Sequence, residues 1–108
     1  MTDTRHVRQT FHRASGLELR STWQSTQAYK RHSHPQLSIG AIVEGQTCCV
    51  CYDREYILHP GDLIVIPSCA PHSCNPVAGQ PRSYHMLYID TELPLALQVI
   101  RSPHLFAQ

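Results

Sequence analysis

The 108-residue sequence predicts an all-β barrel or sandwich, and two observations carry that reading. Short runs of alternating or wholly apolar residues recur along the chain, separated by turns marked with proline and glycine. The sharpest of these turns, Pro60-Gly61-Asp62, leads straight into Leu63-Ile64-Val65-Ile66, the continuous apolar run of a buried strand.

Residues 1–15 are polar and mixed in charge, and are expected to form an arm or an edge strand. From Leu17, the residues Leu17, Leu19, Ser21 and Trp23 alternate with Glu18, Arg20 and Thr22, which is strand periodicity. Between Gln36 and Glu44, the residues Leu37, Ile39, Ala41 and Val43 share one face, with Gln36, Ser38, Gly40 and Ile42 on the other. Glu44-Gly45-Gln46 reads as a turn into the strand Thr47–Tyr52, and Asp53-Arg54 as a hairpin connection into Glu55–Leu58. Pro67, Pro71 and Pro76 punctuate the next loop and strand. After Gly79-Gln80-Pro81, the segment Ser83–Ile89 alternates Tyr84, Met86 and Tyr88 with His85, Leu87 and Ile89. Leu95–Ile100 suits a short helix or a last strand. Ser102-Pro103 is an N-cap followed by a proline at the first helical position, the start of a helix that the sequence does not finish. The expected organisation is therefore an arm over 1–15, one domain over 16–101, and the start of a helix over 102–108 that leads into a longer protein.

Formal net charge is +1, and no basic run exceeds two residues, which argues against a nucleic-acid-binding surface within this segment. No apolar stretch approaches the ~20 residues that span a bilayer, and no signal-peptide core follows Met1. The expectation is a cytoplasmic protein without membrane contact. The five cysteines, Cys48, Cys49, Cys51, Cys69 and Cys74, are odd in number and read as free thiols in a reducing compartment.

Among the eight histidines, three stand out. His32 and His34 lie two apart, so in extended backbone they project from one side and can converge on a divalent cation. His72 is distant in sequence, but a barrel can bring it alongside. His6, His12, His59 and His104 lie near the termini or a turn and read as solvated, while His85 reads as a strand histidine facing a second sheet.

The combination of His32-Ser33-His34, Gly45, Asp53-Arg54-Glu55-Tyr56 and Pro60 through His72 resembles the two cupin motifs. It is most similar to the N-terminal sensory domain of AraC-type transcription regulators, over about residues 15–90. The resemblance implies a cupin-like jelly-roll barrel that binds a small-molecule or metal effector in its interior. It also implies that DNA is bound only through a C-terminal region beyond these residues, in a regulator for which homodimerisation is one expectation. Metal-binding cupins usually place a glutamate three or four residues after the second histidine; Ser38 and Ile39 stand at those places, so the usual three-histidine, one-glutamate site is incomplete. Gln36 and Cys74 are the candidate replacements, sharing the faces of the histidines, with Gln36 slightly preferred and water a further option. Zinc leads on ligand type, followed by nickel or iron. Cys69 occupies the place of the family's usual glycine before the second histidine.

Trp23, Ser38, Cys49, Cys51, Cys69, Tyr84 and Met86 are candidates to line a ligand pocket. Cys48 and Cys51 formally make a C-x-x-C, but on a strand they face opposite ways. Cys49 and Cys51 share the inward face, where a thiol behaves as a small hydrophobe. The expected function is effector sensing without catalysis. The competing readings are a small metal-dependent cupin enzyme, which lacks an acid–base candidate beside the histidines, and a thiol-based redox sensor centred on Cys49, Cys51, Cys69 and Cys74.

Overall fold

The computed structural model describes residues 8–92 and the strand 104–106. Its strands are β1 (Arg8–Ala14), β2 (Leu17–Ser25), β3 (Leu37–Glu44), β4 (Thr47–Cys51), β5 (Arg54–Leu58), β6 (Leu63–Ile66), β7 (His72–Pro76), β8 (Arg82–Ile89) and β9 (His104–Phe106). A six-stranded sheet runs in the order β1-β2-β8-β3-β6-β9 and a three-stranded sheet in the order β5-β4-β7, with every pairing antiparallel. Among the described residues, no helix is long and apolar enough to cross a membrane.

The turn chemistry explains how the chain folds back. In Pro60-Gly61-Asp62, the Asp62 carboxylate accepts from the His59 N–H at 2.7 Å, and the Asp62 N–H donates to the His59 carbonyl at 2.9 Å. Gly61 takes φ +94°, open to a residue without Cβ, and donates its N–H to the Ile42 carbonyl. Gly45 is equally constrained: at φ +73°, an added Cβ would lie 2.4 Å from the Pro81 carbonyl oxygen.

The two sheets enclose a core of Ile42, Cys49, Cys51, Leu58, Ile64, Ile66 and Ala70, against which Tyr84 and Cys74 pack. Gly40 makes room for Met86 there, since a Cβ on it would lie 3.1 Å from the Met86 Cε. The opposite face of the large sheet carries a second cluster built on Leu37, Val65 and Ile89. In β2 the apolar residue Leu19 stands exposed on that outer side, while Glu18 and Arg20 line a cavity. The polar stripe of this strand thus faces inward, as in a barrel whose interior is a binding space.

Within 1–15, residues 8–14 form a regular edge strand, because β2 has an open ladder for them to pair with. Other expectations need correction. The second hairpin turns at Tyr52-Asp53, not Asp53-Arg54: Arg54 pairs with Cys51, and Tyr52 takes the positive φ of 53°. Ser102-Pro103 and Leu95–Ile100 lie outside the described residues. His104–Phe106 are extended instead of helical, and their ladder with Leu63–Val65 occupies an edge that β6 would otherwise leave unpaired.

Candidate metal centre and adjoining cavity

His32 and His34 lie in the connection between β2 and β3, not in a continuous strand; His32 alone forms an isolated bridge, to His72. Pro35, without an N–H, follows directly and cannot donate to a ladder. What holds this connection is a set of backbone clamps to β7 and the loop before it. The His32 N–H donates to the His72 carbonyl at 2.9 Å and the His72 N–H returns to the His32 carbonyl at 2.8 Å. The Cys69 N–H donates to the His34 carbonyl at 2.8 Å, and the Tyr29 N–H to Asn75 Oδ1 at 2.7 Å. Cys69 adopts φ +62°, the left-handed conformation that glycine accepts most readily.

These clamps bring the three imidazoles together. One ring nitrogen from each of His32, His34 and His72 lies within 4.8 Å of the others. The ring centroids of His32 and His72 are 4.4 Å apart, and those of His34 and His72 4.9 Å. Ligand nitrogens on a tetrahedral zinc at 2.0–2.1 Å stand roughly 3.3 Å apart, so small side-chain rotations close the group around an ion. His32 Nδ1 lies 2.8 Å from the Lys30 carbonyl and His72 Nδ1 2.8 Å from the Ala70 carbonyl. In the tautomer that donates from Nδ1, both rings are oriented and their Nε2 lone pairs are free. Burial, reinforced by the nearby His32, holds His34 and His72 below the ordinary imidazole pKa, which keeps them neutral and able to bind a metal. The donor set and its electrostatics therefore fit a divalent cation.

The other candidate residues separate from this group. Among the described residues, no cysteine or carboxylate joins the three histidines. Cys74 shares the inward side of β7 with His72, but its thiol meets the Cys49 thiol at 2.8 Å. Cys49 and Cys51 are fully buried core residues. Burial raises the Cys51 thiol pKa, and contact with Cys74 together with burial raises that of Cys49 well above the ordinary thiol range. Cys69 is exposed. Tyr84 and Met86 line an interior cavity of about 90 Å³ that also touches His72 and Cys74. Ser38 is buried on the inward face. Trp23 is not in the interior: it stands edge-on to His85 at 5.4 Å on the outer side of the large sheet. His85 faces that side too, 2.6 Å from the Ser21 hydroxyl, because its neighbours Tyr84 and Met86 take the inward positions.

Gln36 lies with His34 on the wall of a second, more open cavity of about 410 Å³. The wall also includes Tyr88, together with Arg13, Glu18, Arg20 and Asp90, which sequence reasoning did not single out. The Glu18 carboxylate accepts from Arg13 Nε at 2.7 Å and from Arg20 Nη2 at 2.8 Å. The alternation of Glu18 and Arg20 with leucines was the available signal. Their meeting with Tyr88 depends on the β2–β8 register, which pairs Glu18 with Tyr88.

Comparisons with known proteins agree with this architecture. Residues 15–105 match the family model of the AraC-like ligand binding domain. The uncharacterized HTH-type transcriptional regulator YbfI of Bacillus subtilis (strain 168) is 35% identical over 63 residues, spanning 58% of this chain. The match spans only 23% of that regulator's length. In three dimensions, a cupin superfamily protein from Desulfitobacterium hafniense superposes with a TM-score of 0.71 at 10% identity, over 83% of each chain. A single-site variant of the oxalate decarboxylase of Bacillus subtilis superposes with a TM-score of 0.60 at 21% identity, over 69% of this chain and 21% of the enzyme. At such identities the likeness is one of fold: an all-β, cupin-like jelly roll.

Proposed function

Because the chain belongs to the family of AraC-like ligand binding domains, we propose that it is the effector-sensing part of a transcription regulator and that His32, His34 and His72 hold a divalent metal in it. The observation that carries the metal reading is the convergence of three imidazole nitrogens within 4.8 Å. Zinc suits the nitrogen set best, with nickel or iron next; Gln36 or water completes the shell. Cys74 is a poor fourth ligand, since its thiol is engaged with Cys49.

A divalent metal held by His32, His34 and His72 would supply a Lewis-acidic centre. The chain's own residues orient two imidazoles through the Lys30 and Ala70 carbonyls and bury His72. DNA contact belongs to a region beyond these residues, in a regulator that acts as a homodimer in the cytoplasm. Metal or effector binding acts on that region only through different affinities for two states of the whole regulator. The catalytic alternative is weakened because, among the described residues, no carboxylate joins the three histidines. The thiol alternative has the Cys49–Cys74 contact in its favour, but Cys49 is buried and its raised pKa makes it a poor nucleophile.

Zinc titration against a chromophoric chelator tests the proposal. Wild type is expected to compete with the chelator at one zinc per chain, and His32→Ala, His34→Ala and His72→Ala each to lose the competition. Equal competition by wild type and all three variants would refute the assignment.

A further inference from the structure

The small sheet sets two thiols directly against each other. Across the antiparallel ladder of β4 and β7, Cys49 is paired with Cys74, and the two sulfurs lie 2.8 Å apart. Directly opposed residues in such a ladder have Cα atoms about 4.5 or 5.5 Å apart, and both spacings fall within the range that a disulfide bridges. The pairing runs in continuous register from Thr47 opposite Pro76 to Cys51 opposite His72, so neither strand has to slide for the sulfurs to join. The other cysteines are placed differently. Cys51 is set between Arg54 and His72 across its two ladders, and Cys48 between Ile57 and Asn75. Cys69 is exposed in the loop before β7.

The two thiols of the pair differ in access. Cys49 is fully buried, whereas Cys74 is half-buried and lines the interior cavity of about 90 Å³ beside His72. A water takes about 30 Å³ of the liquid, so a molecule of two oxygens fits that space. Contact with Cys74 and burial raise the Cys49 pKa and keep Cys49 from attacking an oxidant first. Attack on a sulfur already in contact makes a smaller demand, because the reacting atoms are held together before the step.

We propose that Cys49 and Cys74 form a peroxide-reactive pair that closes reversibly to a disulfide, with Cys74 attacking the oxidant and Cys49 resolving. In the first step the Cys74 sulfur attacks one oxygen of hydrogen peroxide and the O–O bond breaks. The sulfur is oxidised to a sulfenic acid, and the departing hydroxide takes the thiol proton and leaves as water. In the second step the Cys49 sulfur attacks Cys74 Sγ; the S–S bond forms and the S–O bond breaks. The hydroxyl leaves with the Cys49 proton as a second water. The peroxide has then gained two electrons, and a thiol reductant returns both cysteines. The bridge ties β4 to the strand that opens with His72 and consumes none of the three histidines. This inference goes beyond the effector-sensing reading and needs no metal.

Hydrogen peroxide treatment of the chelator-treated whole chain, followed by alkylation and tandem mass spectrometry without reduction, tests this. Wild type is expected to yield a cross-linked peptide whose fragments assign the bridge to Cys49 and Cys74, and to lose it with dithiothreitol. Cys49→Ala removes the resolving thiol and is expected to leave a sulfenic acid at Cys74 that dimedone traps at least about tenfold more than in wild type. Cys74→Ser is expected to give neither product, and Cys51→Ala to keep the bridge. Circular dichroism before and after oxidation confirms folding; should a variant fail to fold, the wild-type fragments decide alone. The proposal is overturned if folded wild type gives no Cys49–Cys74 bridge, if Cys51 takes the place of either partner, or if the bridge forms only in urea. Equal dimedone labelling of Cys74 in wild type and folded Cys49→Ala would overturn it too. Zinc uptake by the reduced protein, measured on the same preparation, separates the two readings. A bridge without zinc uptake keeps this pair and removes the metal assignment, and zinc uptake without a bridge does the reverse.

Discussion

His72 and Cys74 stand two residues apart on the inward side of one strand, yet burial has opposite chemical consequences for them and their neighbours. An imidazole taken out of water has its pKa lowered, so His72 and His34 stay neutral and keep a lone pair for a metal. A thiol taken out of water has its pKa raised: burial does this at Cys51, and contact with the Cys74 thiol together with burial does it at Cys49, so both stay protonated in the metal-free protein. The same apolar surroundings thus prepare one end of the strand for metal binding and turn the other into core. Two inward-facing cysteines are not a metal site unless something offsets the cost of the thiolate.

The largest expected contrast is in metal affinity. His72→Ala is expected to lower zinc affinity by more than about 100-fold, beyond the usual effect of losing a ligand's supporting hydrogen bond. Cys74→Ser is expected to leave it within about threefold, given the standing two- to threefold scatter of such single-site effects. A chelator competition carried out on both variants reads the difference directly; comparable losses would erase the contrast.

Stability reverses the order. Cys49→Ser places a hydroxyl in a fully buried apolar position and is expected to cost about 1–3 kcal/mol in urea unfolding. The same substitution at exposed Cys69 is expected to fall within about 0.5 kcal/mol.

The pH profile of the metal-free protein should lose stability at both ends, for different reasons. Below about 6.5 the unfolded chain binds protons that folded His34 and His72 resist, so stability falls as pH drops toward their lowered pKa values. Above about 9.0 the unfolded chain releases thiol protons that folded Cys49 and Cys51 retain, so stability falls as pH rises. His72→Ala should flatten the acid limb alone and Cys49→Ala the alkaline limb alone, in chemical denaturation followed across pH.

The smallest effect is at Cys69. Its φ of +62° is a conformation that costs a non-glycine residue about 1–2 kcal/mol, partly offset in glycine by unfolded-state entropy. Cys69→Gly is expected to raise stability by up to about 1 kcal/mol and to leave zinc uptake intact, by thermal melting and chelator competition.

Much of this was legible in the sequence wherever local chemistry decides the outcome. Pro60-Gly61-Asp62 announces a turn because glycine takes the positive φ and aspartate accepts from the preceding backbone. Leu63–Ile66 announces a buried strand because three of its four residues are in fact buried. The His32–His34 pair was visible as spacing, although the backbone that presents it is a clamped connection and not a strand. What stayed hidden depends on register. Arg20 meets Tyr88 only because Glu18 is paired with Tyr88 across β2 and β8, and a shift of one residue would send both to the other face. Trp23 shows the same limit: its alternation with Thr22 is plain, but which side is the interior depends on the second sheet.

Whether the three histidines, and not the thiols beside them, make the metal centre is decided by elemental analysis of purified, zinc-exposed and desalted protein. Wild type, His72→Ala and Cys74→Ser are compared in parallel. One zinc per chain is expected in wild type and in Cys74→Ser, and none above background in His72→Ala. Equal zinc in wild type and His72→Ala, or its loss only in Cys74→Ser, would overturn the assignment.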